Sequence, residues 1–331
     1  MPALPAMPTL VTGATGFLGG AVARRLAASG RAVVGTGRDA RAGAALERDG
    51  VHFVRLDLAD TAGVRAAVAG CEAVVHSAAL AAPWGPARDF WAANVVGTQT
   101  VVEACLASGV RRLVHVSTPS VCFGVESREN VTEADPLPPV PLTAYAATKR
   151  AGEALVAAAV RDGLDAVVVR PRAIYGPGDR VVLPRLAAAL RAGRLPRIGD
   201  GRNRASVTYI GTAVDAVVAC LDGPPEIRGC LYNVADAEPV AVWDMIDRLA
   251  TALGVPAPTR RLSTTRALAA AAAFEWTFRR LGIRHEPPLT HYGVSVLAHT
   301  QTLDVSAIRR DLGIVGPPSV DRGLAEFVAG L

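Results

Sequence analysis

The sequence predicts an α/β protein in which a doubly wound parallel sheet is followed by a smaller, mainly helical C-terminal lobe. Short β-branched runs alternate with longer alanine-rich segments through the first half of the chain, which is typical of a parallel sheet covered by helices on both faces. Prolines and glycines cluster after Arg170 and break this alternation, which indicates a second lobe. A chain of 331 residues, 50% of them hydrophobic, is long enough to give each lobe a core.

The β-branched runs are predicted to be strands buried on both faces of the sheet. They are Thr9 to Thr12, Ala32 to Thr36, His52 to Leu56, Ala73 to Ser77, Leu113 to Ser117 and Ala166 to Arg170. The segments between them with helical length and spacing are Ala21 to Ala28, Thr98 to Ala107 and Lys149 to Arg161. Right-handed crossovers are expected to place these helices over both faces.

The second lobe is predicted to contain short strands and several helices. Its elements are a strand at Thr208 to Ile210, a strand at Leu231 to Val234, a helix at Val242 to Leu253 and an alanine-rich tail. Residues 1–170 are assigned to the domain that carries the sheet. The segments 205–222 and 230–236, which contain the two short strands, are expected to complete that domain. Residues 171–204 and 237–331 are assigned to the second, substrate-binding lobe.

The composition argues against several classes of protein. The net charge is +5, but the arginines are scattered and no basic run is interleaved with aromatics, so no nucleic-acid partner is expected. The five cysteines form no C-x-x-C pair, which favours neither zinc nor disulfides and suggests a reducing cytoplasm. No apolar run approaches the roughly 20 residues of a membrane-spanning helix. Met1 to Pro8 lacks the charge and apolar run of a signal peptide.

The histidines do not indicate a metal site. His76 and His115 fall in predicted strands, where we expect hydrogen-bonded core residues, and His285, His291 and His299 lack the spacing of metal ligands. No metal is predicted.

A glycine-rich loop follows the first strand, with the sequence Thr12-Gly13-Ala14-Thr15-Gly16-Phe17-Leu18-Gly19. Glycines in this pattern allow a tight turn and let the backbone approach a pyrophosphate, which is then held by the free amides at a helix N-terminus. A tight turn without a ligand is the alternative. The position between the first strand and the first helix favours a dinucleotide.

Tyr145 and Lys149 are four residues apart and hence lie on one face of a helix. A phenol with a pKa of about 10 is a poor acid or base at neutral pH unless a nearby cation favours its ionised form, and Lys149 supplies a cation. The alternative is a surface tyrosine beside a solvated lysine. Of the 35 lysines and arginines, however, Lys149 is the only lysine, which indicates that a compact ammonium is required there. We take its helical position to be exposed, so Lys149→Arg should fold normally and lose activity.

Three hydroxyls lie at the end of the fifth strand, where parallel sheets place their ligands. They belong to Ser117, Thr118 and Ser120, and one of them is expected to bind a substrate carbonyl oxygen. The alternative for each is a hydroxyl that only completes the turn.

These motifs together resemble the extended short-chain dehydrogenase/reductases. They are TGATGFLGG (12–20), DLAD (57–60), VVHSAA (74–79), NVVGT (94–98), STPSV (117–121), YAATK (145–149) and RPRAIYGPGD (170–179). Within that family the chain is most similar to the 3β-hydroxysteroid dehydrogenase-like branch, in particular to 2-alkyl-3-oxoalkanoate reductases of olefin and β-lactone biosynthesis. The segments VLPRLAA, RAGRLPRIGDG and TYI add to this likeness.

The resemblance implies a Rossmann fold that binds a nicotinamide dinucleotide. By position, it implies pyrophosphate contacts at Gly13, Thr15, Gly16, Phe17, Leu18 and Gly19, adenine contacts at Asp57 and Leu58, ribose contacts at Ser77, Ala78 and Ala79, and nicotinamide contacts at Pro171, Ala173 and Ile174. It also implies a catalytic set of Thr118, Tyr145 and Lys149, with Tyr145 and Lys149 touching the cofactor too. Ser117 and Ser120 are the alternatives to Thr118.

The cofactor is predicted to be NADP(H). The second strand ends in Gly35-Thr36-Gly37-Arg38, and a guanidinium at Arg38 suits a ribose 2′-phosphate. Asp39 is the alternative, because an acidic residue there would bind the ribose hydroxyl of NAD(H).

The predicted substrate is an apolar acyl or steroid-like compound with a 3-oxo or 3-hydroxy group. Sugar-nucleotide enzymes of the family typically carry an asparagine where this chain has Ala173, so a nucleotide-sugar epimerase or dehydratase is the less favoured reading. A non-catalytic cofactor sensor would be expected to lose the Tyr145 and Lys149 pair. The substrate contacts are predicted at Trp84, Ser120, Tyr209 and, for a carboxylate, Arg172, with Val182, Leu183 and Leu186 adding apolar surface. A homodimer is kept open.

Overall fold

The computed structural model describes residues 7–317 and 319–330, so six of the residues considered for a signal peptide lie outside the described ones. Its strands are β1 (Thr9–Thr12), β2 (Val33–Gly37), β3 (His52–Arg55), β4 (Ala73–His76), β5 (Arg112–Val116), β6 (Arg128–Val131), β7 (Ala166–Pro171), β8 (Ile174–Tyr175), β9 (Arg197–Ile198), β10 (Arg204–Ala205), β11 (Thr208–Tyr209), β12 (Leu231–Val234), β13 (Val240–Ala241), β14 (Arg261–Leu262) and β15 (Gln301–Leu303).

Helices connect most of these strands. They are α1 (Phe17–Ala28), α2 (Ala40–Arg48), α3 (Thr61–Val68), α4 (Ala87–Trp91), α5 (Gly97–Ser108), α6 (Ala144–Arg161), α7 (Val182–Arg191), α8 (Ile210–Asp222), α9 (Val242–Ala252), α10 (Thr264–Arg280), α11 (His291–Ala298), α12 (Ser306–Leu312) and α13 (Asp321–Ala329). A π-helical turn, Ala92–Val96, joins α4 to α5, and short 3₁₀ helices lie at Pro119–Cys122 and Pro225–Ile227. Searching the described helices for one able to span a bilayer finds none.

Seven parallel strands form the main sheet, in the order β12-β7-β5-β4-β1-β2-β3. The chain moves outward from β1 to β3 and then crosses back to β4, so the strand order reverses between β1 and β4. Every residue of β1, β4 and β7 is buried, because helices cover both faces. This sheet confirms the predicted fold class, and the crevice at its point of reversal is where such folds bind dinucleotides.

A second core lies beside the carboxyl ends of these strands. It contains Leu183, Trp243, Ile246 and Leu324, and a four-stranded sheet in the order β13-β10-β15-β6 borders it. The chain crosses between the two cores more often than the predicted division implies. Ile308 of α12, for example, packs in the core of the main sheet, although residues 237–331 were assigned to the second lobe.

Two helices begin several residues before the segments that were predicted from helical spacing, Ala21 to Ala28 and Lys149 to Arg161. The first turn of α1 starts at Phe17 and that of α6 at Ala144, where the Thr143 hydroxyl accepts from the Ala146 amide at 3.0 Å and caps the helix. Tyr145 therefore sits in the first turn of α6, beside the carboxyl end of the sheet, and its position depends on that cap.

Candidate active site

The loop after β1 has the shape of a pyrophosphate cradle. Gly13 adopts φ +69°, and a Cβ there would lie 2.7 Å from the Ala78 backbone, so only glycine fits. A Cβ at Gly19 would lie 2.4 Å from the Gly13 carbonyl oxygen. Among the described residues no side chain caps α1, whose N-cap is Gly16. Its first amides are therefore available to an anion, and these residues fit the phosphates of a dinucleotide.

The loops after β3 and β4 lie at the same edge of the sheet. The Ala78 amide donates to the Thr12 hydroxyl at 3.3 Å, which holds the predicted ribose-contacting segment of Ser77, Ala78 and Ala79 against the end of β1. Asp57 accepts from the Ala59 amide at 3.0 Å and turns the chain after β3. The predicted cofactor contacts on these loops are thus brought together around one crevice.

Arg38 and Asp39 differ in what holds them. The Asp39 carboxylate accepts from the Arg41 and Ala42 amides at 2.9 and 3.1 Å and so caps α2. The Arg38 side chain is 76% exposed, and its guanidinium is 3.7 Å from the Asp57 carboxylate. Asp39 therefore already has a structural partner, whereas Arg38 extends from the end of β2 toward solvent.

The three hydroxyls after β5 are separated by their hydrogen bonds. Ser117 donates at 2.5 Å to Glu153, which also forms a two-pronged ion pair with Arg170. Thr118 donates to the Ser120 hydroxyl at 3.1 Å and accepts from the Ser120 amide at 3.2 Å. Ser117 is thus committed to a buried ion pair, which leaves Thr118 and Ser120 as the hydroxyls open to a substrate.

Tyr145 is a partly buried phenol beside Thr118. Burial raises its pKa to about 12, Tyr292 adds to the rise, and the hydrogen-bonding hydroxyl of Thr118 opposes it. The expectation that Lys149 lowers this pKa is not met in the protein alone, because desolvation dominates. The phenol stays protonated at neutral pH, which is the form that can donate a proton.

Lys149 is buried, and the prediction of an exposed position is wrong. Only 1% of the residue is exposed, and its ammonium donates to the Val116 carbonyl at 2.7 Å. It also lies 3.3 Å from His115 Nε2. Burial lowers the pKa of Lys149 to about 8, with Glu153 opposing the shift.

The two buried histidines differ in their hydrogen bonding. His76 bonds to Thr12 at 2.7 Å and to Thr98 at 3.1 Å, which confirms the prediction of a satisfied core residue. His115 Nδ1 is buried without a partner among the described residues, so the same prediction is wrong for His115. Burial and the charge of Lys149 lower the pKa of His76 to about 3 and lower that of His115 as well.

Arg172 is a buried cation without a carboxylate partner among the described residues. One nitrogen donates to Gln301 at 2.6 Å, the guanidinium lies 4.6 Å from the Phe123 ring, and Nε has no partner. The other two buried arginines each bind a carboxylate through two hydrogen bonds, Arg112 that of Asp165 and Arg170 that of Glu153. Burial lowers the pKa of Arg172 to about 10.

Ala173, the next residue, has φ +43°, a conformation that asparagine adopts more readily than alanine. The residue is exposed, and its contact with the nicotinamide stays a prediction. The strained conformation turns the chain sharply between β7 and β8 and leaves Arg172 directed into the interior.

A cavity of about 630 Å³ opens above the N-terminus of α6. Trp84, Phe90 and Phe278 form aromatic walls. A smaller recess, lined by Ser120, Arg172 and Tyr292 among others, adjoins it, and Tyr292 lines both spaces. The two spaces share Leu142 and Thr143 as well, so they meet at the residue that caps α6, two positions before Tyr145.

The predicted substrate residues divide into two groups. Trp84, Ser120 and Arg172 line these spaces. Tyr209 does not, because its hydroxyl donates to Glu326 at 2.7 Å and its ring packs on Tyr175. The second core encloses Leu183, with Leu186 packed against it, and neither they nor Val182 line the two spaces. We therefore drop Tyr209 and these three residues as substrate contacts.

Several residues of the site carry no signal in the sequence. Tyr292 and Gln301 reach the site because the segment after α10 folds back over β6, a contact between residues more than 100 positions apart. Asn94 is different, since its amide bridges the Leu80 backbone and Thr148 of α6 at 2.7 and 3.1 Å. An asparagine within an otherwise apolar helix was a visible signal for that role.

A nucleotide-binding crevice beside a tyrosine, a lysine and strand-end hydroxyls defines a nicotinamide-dependent oxidoreductase of the extended short-chain dehydrogenase/reductase type. The chain belongs to the NAD dependent epimerase/dehydratase family, whose sequence model matches residues 9–235. It acts as a dehydrogenase or reductase on a CH–OH group or the corresponding ketone, as its relatives are described.

The comparisons agree on this class. A 2-alkyl-3-oxoalkanoate reductase of Stenotrophomonas maltophilia is 37% identical over 98% of this chain and 99% of that protein. A 3beta-hydroxysteroid-dehydrogenase/decarboxylase of Arabidopsis thaliana is 34% identical over 82% of this chain and 64% of that protein. The crystal structure of a Bacillus cereus UDP-glucuronic acid 4-epimerase in complex with NAD is 25% identical, has a TM-score of 0.78 and covers 98% of each chain.

Proposed function

We propose that the protein is an NADP(H)-dependent ketoreductase that interconverts 3-oxo and 3-hydroxy groups on an apolar acid of the 2-alkyl-3-oxoalkanoate kind. The observation that carries the proposal is Arg172, a buried cation without a carboxylate partner among the described residues, beside Ser120 in the recess of the cavity. The similarity to a 2-alkyl-3-oxoalkanoate reductase supports it, since such a substrate has a ketone and a carboxylate separated by one carbon.

An unpaired buried charge is costly, because the desolvated guanidinium has lost water without gaining an anion. Arg112 and Arg170 avoid this cost through Asp165 and Glu153. Arg172 would avoid it when a substrate carboxylate widens the recess, which measures about 10 Å³ without a ligand, and accepts from its free Nε–H. Gln301 already fixes the orientation of the guanidinium, so the cation is preorganised for that ligand.

The larger cavity suits the apolar part of such a substrate. Its volume of about 630 Å³ is within the range of small-molecule sites, and its aromatic walls provide area for an alkyl chain. The loop of Trp84 is held by a hydrogen bond from its indole to the Ile283 carbonyl at 3.2 Å, so the two sides of the cavity are tied together.

In the proposed mechanism Tyr145 donates its proton to the carbonyl oxygen and Thr118 orients that oxygen by a hydrogen bond. The nicotinamide cofactor supplies the hydride when bound, held by the glycine loop, by Asp57 and Leu58, by Ser77 to Ala79, and by Pro171, Ala173 and Ile174. Lys149 keeps a positive charge beneath the site, which stabilises the negative charge that develops on the phenol oxygen as its proton leaves.

We propose NADP(H) over NAD(H) because Arg38 is an extended, weakly paired cation at the end of β2. A 2′-phosphate would form charge-assisted hydrogen bonds with it. A homodimer and a cytoplasmic location are also proposals. The first is supported by the exposed apolar side chains of Trp91, Val96 and Leu106 along the continuous helical segment of α4 and α5, and the second by the cysteine pattern.

The test compares a long-chain 2-alkyl-3-oxoalkanoate with its methyl ester and with the ketone left after loss of the carboxylate. We expect the wild-type protein to reduce the acid best, and Arg172→Met to lower kcat/KM for the acid on the order of a hundredfold with little effect on the ester. Because methionine removes an unpaired buried charge, the variant should melt at the same or a higher temperature.

Arg284→Met is the matched control, since Arg284 also lines the cavity but does not line the recess. The proposal fails if the wild type reduces none of the three compounds, or if it turns over a nucleotide-sugar instead. If Arg284→Met removes the preference for the acid while Arg172→Met does not, the carboxylate binds elsewhere in the cavity.

A further inference from the structure

Lys149 is held in the interior by acceptors that carry no charge. Its ammonium donates to the Val116 carbonyl at 2.7 Å and lies 3.3 Å from His115 Nε2, and both residues belong to β5. An ammonium has hydrogens and no lone pair, so His115 Nε2 must be the acceptor. A neutral His115 then carries its own proton on Nδ1, the atom without a partner among the described residues.

We propose that His115 is a positioning residue for Lys149, which fixes the ammonium beneath the end of β5 without neutralising its charge. The proposal rests on the catalytic role proposed for Lys149. A carboxylate in the same place would hold the lysine more tightly but would cancel the charge that the phenol needs. Glu153, the acid nearest in sequence, is already bound to Arg170 and Ser117.

The surroundings keep His115 neutral. Its ring is fully buried and lies 5.3 Å from that of His76, which is itself tied to Thr12 and Thr98. Burial and the charge of Lys149 lower the pKa values of both rings, so neither competes with the lysine for its proton at neutral pH. The titratable groups that interact with the ammonium are His115 on β5, His76 on β4 and Glu153 on α6, and Glu153 is paired with Arg170 on β7.

His115 is an unfavourable core residue unless it has such a role. A histidine ring with one unpartnered nitrogen costs stability, and leucine at this position would remove the buried polar atom. Replacing His115 with leucine removes the unpaired Nδ1 but also leaves a buried N–H of Lys149 without an acceptor, so the two effects on the melting temperature oppose each other and the net change should be small. Loss of that acceptor should also favour the uncharged amine and lower the pKa of Lys149.

The single lysine gives a direct measurement. Protein labelled with ¹³C at lysine Cε contains one labelled residue among 331, and its chemical shift reports the ionisation of Lys149 without cofactor or substrate. We expect a midpoint near pH 8 in the wild type. His115→Leu should lower it by roughly one pH unit, the scale of one hydrogen bond to a charged group, and His115→Gln, which can still accept, should restore most of the shift.

The alkaline limb of kcat/KM should move with the resonance, because that limb reports ionisation in the free enzyme. His52→Gln, an exposed histidine on β3, is the control and should change neither. An unchanged or higher lysine midpoint in His115→Leu overturns the proposal, as does equal loss of activity in the leucine and glutamine variants with no shift of the midpoint. If the lysine midpoint moves as expected but the wild type reduces no carbonyl compound, the positioning role holds and the proposed function fails.

Discussion

Lys149 carries a positive charge in a buried position where desolvation disfavours the charged form. The size of the side chain matters there as much as the sign of its charge. A surface lysine is exchanged for arginine at little cost. At Lys149, with 1% exposure and partners at 2.7 and 3.3 Å, a guanidinium has no room to spread.

Lys149→Arg is therefore expected to destabilise the fold by about 1–3 kcal/mol, the usual effect of overpacking a core, and to lower kcat/KM on the order of a hundredfold through misplacement of the charge. Lys149→Met should keep or raise the melting temperature, because it removes a buried charge, and should lose as much activity. Melting temperature and kcat/KM measured for both variants check this. Wild-type turnover in the arginine variant would show that the geometry at the ammonium is unimportant.

Arg38 is the residue on which the cofactor preference is expected to depend. Arg38→Ala should raise KM for NADPH by about tenfold or more and leave KM for NADH nearly unchanged, because one charge-assisted contact with a phosphate contributes about 1.5–3 kcal/mol. Arg48→Ala, an exposed arginine at the far end of α2, is the control. Equal effects of Arg38→Ala on the two cofactors would mean that Arg38 does not contact the 2′-phosphate.

At the scale of single elements, α6 controls the site through its first turn. Tyr145 follows Ala144, the first residue of the helix, and the cap from Thr143 holds that turn. Helical spacing of apolar residues indicated a start at Lys149, whereas the spacing of Tyr145 and Lys149 already placed Tyr145 on the helix. The cap at Thr143 fixes the observed start at Ala144.

Thr143→Ala should cost about 1 kcal/mol of stability and lower kcat more than the stability loss explains, since the frayed turn carries the proton donor. Thr143→Ser retains the hydroxyl and should restore both. Ser263→Ala removes the equivalent cap from α10, far from the site, and should change stability alone. If the two alanine variants affect stability and kcat in the same proportion, the cap of α6 has no specific influence on Tyr145.

A site residue can be predicted from the sequence when the residues that define its role lie close to it in the chain. The glycine loop, the Tyr145 and Lys149 pair and the strand-end hydroxyls could all be predicted from local spacing, because each motif lies within one strand–helix unit. Burial of Lys149 and the isolation of Arg172 could not, since both depend on what other parts of the chain place around them. Tyr209 was misassigned for the same reason, as Glu326 from α13 takes its hydroxyl.

At the scale of the whole molecule, the two buried histidines link folding to pH. Their pKa values in the folded protein lie below the ordinary value of 6.5, that of His76 at about 3. Between these values the unfolded chain binds more protons than the folded one, so acid favours unfolding.

These two histidines should leave the free energy of unfolding unchanged above about pH 6.5 and lower it progressively as the pH falls toward 3. Urea midpoints measured from pH 7.5 to pH 4.5 check this. His115→Leu should flatten the dependence, because one of the two groups is gone, whereas His52→Gln should not. A urea midpoint that stays constant down to pH 5 would contradict the buried, neutral state of these rings.

The solitary lysine also gives the protein one cleavage site for a lysine-specific endoprotease. Proteases bind their substrates in an extended conformation, and the bond after Lys149 lies inside α6, in its second turn. Cutting there requires this helix to leave the sheet, so the rate of appearance of two fragments measures how often the nucleotide-binding half opens. A cofactor that binds at the carboxyl ends of the strands should slow that digestion. Comparing the digestion rates with NADPH and with NADH would then show which cofactor binds more tightly, without any substrate.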